Sequence, residues 1–311
     1  MTRPISLAAL TVLELTPPEM VTCAAAAGFS HVGIRLLPAT PSEPRYDIVG
    51  DTPLLRELER RLADTGIKVL DVEIFRIKPE TRAGDYEAAI ATAARLGASE
   101  LLVAGNDPEE SRLIDGFAAF CDLAGSYGLG ADLEFMPWTD AKDLTQAARI
   151  VERAGRGNAG LLIDAFHFSR SQSRIEDIAI VPPSRLRFMQ ICDVPAAIPP
   201  TMDAILAEAR GERMFPGEGS VDLVGLLRAV PRDIPLSVEV PTRTLASSIG
   251  ATERAPRVGC DQARPRTTRL SRPPAQVPGS TRMAAGACAC DAELALMPAA
   301  WRSWRAPSTD L

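Results

Sequence analysis

The chain has 311 residues, 46% of them hydrophobic and 24% charged, which allows a sizeable core and excludes wholesale disorder. Its net charge of −6 supplies no basic footprint for nucleic acid, and no apolar run reaches the roughly 18 residues a membrane span requires. The N-terminus MTRPISLAALTVLEL meets Pro and acidic residues without a small-residue cleavage site, so the expectation is a cytoplasmic chain with no nucleic-acid and no membrane partner.

Short apolar runs alternate with longer helical patterns along the chain. ISLAAL (5 to 10) is followed by PPEMVTCAAAAG, HVGIRL (31 to 36) by TPLLRELERRLADTG, and KVLDVEIF (68 to 75) by DYEAAIATAARLG. ELLVAG (100 to 105) leads to ESRLIDGFAAFCDLAGSYG, and ADLEFM (131 to 136) to AKDLTQAARIVERAG. Three more strands are predicted at GLLIDA (160 to 165), LRFMQIC (186 to 192) and PLSVEV (235 to 240). Several helical stretches end in Gly, as a helix C-terminus does. The alternation recurs at intervals of roughly 30 residues, the pattern of repeated βα units and a parallel sheet. Eight such units, with no Gly-rich phosphate fingerprint after the first strand, predict a closed α/β fold, the (β/α)8 TIM barrel, over an open doubly wound sheet.

Composition shifts abruptly near the end. Residues 254 to 311 hold nine Arg, seven Pro and half of the six Cys, with no Lys, Phe, Tyr or Ile. Nine Arg against four acids gives this stretch +5 and leaves −11 on residues 1 to 253. The eighth helix is expected to start at TLASSIGATERA and to be stopped by Pro256. The expectation is therefore a catalytic barrel over 1 to 253 with an incomplete eighth helix. Residues 254 to 311 read as an irregular Arg/Pro/Ala-rich tail, either disordered or the product of a reading-frame shift. The Cys residues lack paired zinc spacing and read as free thiols.

Polar residues at the C-terminal ends of barrel strands point into the active site of such folds. Glu134, Asp164, Gln190 and Glu239 hold those positions on strands five to eight. Alone, each carboxylate reads equally well as half of a salt bridge across the barrel mouth. Three buried carboxylates with no Lys on their strands ask for a cation, and an oxygen-only set suits Mn2+, Mg2+ or Co2+ better than Zn2+. His167, three residues after Asp164, is placed for acid–base work, or else satisfies a loop carbonyl; His31, at the opposite end of its strand, reads as structural. Arg35, Arg76, Arg170, Arg210 and Arg213 are forks for an anionic substrate, with Arg210 and Arg213 favoured because they precede a PGEG turn. Glu73 faces either a substrate hydroxyl or Arg35 and Arg76. Trp138 walls the pocket or caps a helix, and Asp193 supports the strand-seven loop.

LEFMPWT (133 to 139), LLIDAFHFSRS (161 to 171), MQICDVP (189 to 195), RMFPGEG (213 to 219) and SVEVP (237 to 241) together resemble the sugar phosphate isomerase/epimerase family of xylose isomerase-like barrels. The resemblance covers about residues 5 to 250. It implies one divalent cation on Glu134, Asp164, Gln190 and Glu239, a small-molecule substrate, and proton transfer beside a carbonyl. Read from their strand-end and loop placement, Glu134, His167 and Glu239 are the candidate catalytic groups and Arg35, Glu73, Arg210 and Arg213 the candidate substrate contacts. Gln190 stands where many epimerases have His, which resembles the 3-dehydroshikimate dehydratase branch. Two chemistries follow, with homo-oligomerisation left open. In an isomerase or epimerase, Glu134 and Glu239 exchange a proton on opposite faces of the substrate; in a dehydratase, His167 removes the proton and a hydroxyl leaves as water. A catalytically silent sugar-binding barrel is the third alternative.

Overall fold

A computed structural model of the chain describes residues 3 to 259. Eight parallel strands close into a barrel in sequence order, with β1 pairing β8. They are β1 (Ile5–Leu7), β2 (His31–Arg35), β3 (Lys68–Ile77), β4 (Glu100–Gly105), β5 (Gly130–Glu134), β6 (Ala159–Asp164), β7 (Met189–Ile191) and β8 (Leu236–Val238). All eight lie within or against the segments expected from the apolar runs.

Around them run α1 (Pro17–Ala26), α2 (Pro53–Thr65), α3 (Glu87–Arg95), α4 (Glu110–Ser126), α5 (Leu144–Ala154), α6 (Ala165–Arg170), α7 (Met202–Ala209) and α8 (Leu223–Ala229). Side-chain caps set several starts: Thr52 accepts from Leu55 N, Asp143 from Gln146 N and Thr201 from Ala204 N. Gly66 and Gly155 end α2 and α5 with φ of 72° and 65°, a left-handed turn that costs glycine nothing.

The barrel interior has two characters. Leu70, Ile74, Leu102, Ala104, Met136, Leu162 and Phe188 form an apolar cluster contributed by the β3 to β7 region. Ser6, Asp71, Asp132, Gln190 and Ser237 are fully buried yet polar. The close approach of Asp132 to β6 requires Gly160, because a methyl group there would collide with the Asp132 carboxylate and Arg187.

The end of the barrel differs from expectation. Two short helices, α9 (Arg243–Ala246) and α10 (Ala251–Gly259), follow β8, and Pro256 lies inside α10 instead of stopping it. Tertiary packing outweighs the helix penalty of Pro, roughly 3 kcal/mol. Ala255 and Arg254 are buried, and Arg254 bonds to Glu14 and to the Thr11 carbonyl after β1. Thr11 also accepts from Val240 N and donates to Val238 O, stitching β8 to the β1 loop. Residues 260 to 311, most of the anticipated tail, lie outside the described residues, as do Cys260, Cys288 and Cys290. Cys23, Cys121 and Cys192 are buried free thiols. Among the described residues no helix is long and apolar enough to cross a membrane.

Candidate active site

The C-terminal ends of β5 to β8 bring the expected polar residues into one buried cluster. Asp164 ends β6 and also caps α6, its Oδ1 accepting from His167 N at 3.0 Å. That cap fixes His167 one helical turn from the strand end. His167 Nε2 lies 3.6 Å from Glu134 Oε1, and the Trp138 ring meets the imidazole edge-on with centroids 5.0 Å apart. Glu134, Asp164 and His167 each offer a ligand atom, all within 4.8 Å of one another. On the other side, Gln190 Nε2 donates to Glu239 Oε1 at 3.1 Å.

Arg213 joins the two halves. Its Nη1 donates to Asp164 Oδ2 at 2.7 Å, and its Nη2 lies 3.0 Å from Glu239 Oε2. Nε is taken by the Ala209 carbonyl, and the guanidinium stacks over Phe166 at 4.8 Å. The expectation that Arg213 serves the substrate is thus displaced: nearly all its donors are committed to the cluster. Sequence spacing gave no signal for this, because Arg213 arrives on the segment after α7, where Met214 bridges to Asp193.

The electrostatics follow from burial. Burial raises the Glu134 carboxyl well above its usual range, and the Asp164 and Glu239 charges add to the shift. Burial likewise pushes Glu239 up to about 8, against Arg213 and with Glu73 and Asp164. Burial would raise Asp164 too, but Arg213 and His167 hold it below the ordinary carboxylate value. Any proton the cluster keeps therefore sits on Glu134 or Glu239. Burial and Arg213 press His167 down to about 3 despite Asp164, so its ring is neutral near pH 7.

These residues fit a divalent cation. Ionised, the three acids exceed Arg213 by two negative charges, which one dication would balance. Gln190 Oε1 is buried and accepts no hydrogen bond from the described residues, a ligand oxygen without other employment. His167 joins Glu134 and Asp164 as a third candidate donor, which the oxygen-only expectation omitted.

The remaining anticipated residues separate into engaged and open groups. Arg35 is held by Glu73 at 2.7 Å and Glu43 at 2.9 Å, which makes Arg35 and Glu73 partners of each other. Arg170 pairs with Glu208 at 2.7 Å. Asp193 accepts from Val194, Gly217 and Val221 N–H groups and so holds the PGEG turn. His31 Nδ1 lies 2.8 Å from Ser30 Oγ at the opposite end of the barrel. Arg210 is exposed, and its side chain has no hydrogen bond or ion pair among the described residues.

Comparison with known proteins agrees with this architecture. The chain is 30% identical over 244 residues to the 3-dehydroshikimate dehydratase of Pseudomonas aeruginosa, covering 73% of this chain and 36% of that protein. It is 33% identical over 112 residues to the inosose isomerase of Bacillus velezensis, covering 35% of this chain and 38% of that enzyme. The chain thus spans little more than a third of the length of the curated relatives it matches. Among solved structures, the IOLI protein with a binding zinc atom superposes with a TM-score of 0.67 at 21% identity, over 82% of this chain and 96% of that one. The model of the xylose isomerase-like TIM barrel matches residues 21–261, and the chain belongs to that family.

Proposed function

We propose that the chain is a metal-dependent dehydratase that removes water from a small cyclic hydroxy-ketone of the 3-dehydroshikimate type. A divalent cation held by Glu134, Asp164, Gln190 and Glu239 would polarise the substrate's carbonyl oxygen. The residues themselves supply a one-sided acid–base apparatus. Glu239 has one oxygen bonded by Gln190 and the other paired with Arg213, so it is poorly placed to exchange a proton with substrate. That leaves His167, its Nε2 3.6 Å from Glu134 Oε1, as the acid–base group, with its ring in the neutral form a base requires.

In this reading His167 takes the proton from the carbon beside the carbonyl. The C–H pair becomes a C=C bond, the neighbouring C–O bond breaks, and the hydroxyl leaves as water with the proton returned by His167. No electron is gained or lost by the substrate overall. The observation that carries the reading is this asymmetry: on one side the His167 ring has no arginine or amide bonded to it, and on the opposite side both Glu239 oxygens are tied down. The similarity to 3-dehydroshikimate dehydratases over 244 residues supports it. Mn2+-loaded protein should convert 3-dehydroshikimate to an absorbing aromatic product, and chelator treatment should stop the reaction; inertness of the loaded protein towards this ketone sinks it.

A second reading, isomerase or epimerase, draws on the similarity to inosose isomerases and on carboxylates contributed from both sides of the cluster. It requires Glu239 to leave Gln190 or Arg213 during turnover. His167→Asn distinguishes the two, abolishing dehydration but only weakening epimerisation. A silent binding barrel would take up metal and turn over neither substrate class. Mn2+, Mg2+ and Co2+ remain the preferred ions for an oxygen-dominated set, and His167 in the cluster improves the case for Zn2+.

A further inference from the structure

The five arginines singled out from the sequence are divided sharply by their partners. Arg35 is spent on Glu73 and Glu43, Arg170 on Glu208, and Arg213 on Asp164 and Glu239. Arg76 and Arg210 have no carboxylate partner among the described residues. The Arg76 side chain makes one hydrogen bond, Nη1 to Asn106 Oδ1 at 3.0 Å, which fixes one edge of the fork and leaves Nε and Nη2 unclaimed.

Strand register aims Arg76 at the site. Arg76 pairs with Ala104 of β4, and Ala104 pairs with Glu134 of β5, so the three share one level and one face across adjoining strands. The preceding Phe75 packs outward on Tyr86 and Phe120, so Arg76 turns the other way, to the face that carries Glu134. We propose that Arg76, with Arg210 as a second fork, binds a carboxylate on the substrate and thereby selects an acidic hydroxy-ketone over a neutral sugar or inosose. A guanidinium on the level of Glu134 with two donor groups unclaimed, joined by a second that has no carboxylate partner among the described residues, forms a natural seat for an anion. Burial lowers the Arg76 pKa, and Arg35 and Arg210 are among the neighbours that lower it further while Glu134 opposes them.

This inference rests on the proposed hydroxy-ketone chemistry for its substrate, but its test is a binding measurement that does not need turnover. The probes are 3,4-dihydroxybenzoate and catechol, which differ by one carboxylate, titrated calorimetrically into Mn2+-loaded full-length protein. Wild type should prefer the acid by about 10- to 100-fold, the range of one or two charge-assisted hydrogen bonds. Arg76→Gln should lose most of that preference while binding catechol unchanged, and Arg210→Gln should lose a smaller part. Arg76→Lys, which keeps the charge without the fork, should recover some of the preference and guards against a folding defect. With 3-dehydroshikimate as substrate, Arg76→Gln should raise KM far more than it lowers kcat. Absence of a preference for the acid in wild type overturns the proposal, as does an equal loss of both probes in Arg76→Gln and Arg76→Lys. Wild type that prefers the acid but leaves 3-dehydroshikimate untouched would sink the dehydratase reading and leave the anion seat standing.

Discussion

Two ionic clusters sit inside this barrel, one at each end, and their charge ratios differ. At the N-terminal end Arg187 lies 2.8 Å from Glu100 and 3.0 Å from Asp132, and its Nη2 also donates to the Asn158 carbonyl. Burial and Glu100 hold the Asp132 carboxyl well above its usual value, against Arg187. With Asp132 protonated, one acid faces one guanidinium and the lower cluster is neutral. The upper cluster sets three acids against Arg213 alone. The lower one closes its charge by keeping a proton on Asp132; the upper one keeps its protons on Glu134 or Glu239 and uncovers up to two negative charges when a dication displaces them.

The sharpest way to break that comparison is to remove each arginine in turn. Arg213→Met and Arg187→Met should each destabilise the metal-free protein by about 3–5 kcal/mol, the cost of leaving buried acids without their partner. Adding Mn2+ should restore part of the Tm lost in Arg213→Met and none of that lost in Arg187→Met. Equal responses to Mn2+ would erase the distinction between the two ends. Next in size, Asp164→Asn should cut metal content and lower kcat/KM by more than about a hundredfold, beyond the 10- to 100-fold typical of residues that merely support a ligand. Asp164 is also the α6 cap, so circular dichroism should confirm that the helix-rich fold persists.

Between the clusters Asp71 offers a third, smaller test. Both its carboxylate oxygens are buried and accept no hydrogen bond from the described residues, and burial together with the Glu73 charge raises its pKa well above 3.8. A raised folded-state pKa means stability that is present below the unfolded value and is lost as pH rises through the folded one. Asp71→Asn removes that loss, so it should raise stability at pH 8 by about 1–3 kcal/mol and change little at pH 4. A gain of equal size at both pH values would point to packing instead of charge.

The backbone of this molecule was readable from its residues because each strand is a compact apolar run bounded by turn signals; β3, β4 and β6 appear almost residue for residue. The carboxylates at strand ends were readable for the same reason, since strand register converts sequence position into a place on the barrel mouth. Arg213 was not, because its position depends on a bridge between two loops that no periodicity encodes. Nor was the division of labour among Arg35, Arg76 and Arg170, which depends on Glu43 and Glu208, acids placed by loop and helix geometry. Helix propensity misjudged Pro256 because the packing of Arg254 and Ala255 is long-range.

Read at pH 5.5, the smallest expected effect belongs to His167 and reports on the upper cluster alone. Its folded-state pKa of about 3 lies below the 6.5 of an unfolded His. The folded state therefore binds fewer protons than the unfolded chain, and stability drains as pH falls below 6.5 until the ring protonates near 3. Each pH unit in that window costs the wild type about 1.4 kcal/mol from this one group. His167→Asn removes the term, so its unfolding free energy should fall less steeply than wild type between pH 6.5 and 4.5, the gap reaching about 1 kcal/mol at pH 5.5. His31, half-buried at the other end of the barrel, is the control, because its replacement leaves the upper cluster untouched. If His167→Asn and wild type lose stability in parallel through this window, the imidazole is not held neutral, and His167 would enter the reaction as an acid instead of a base.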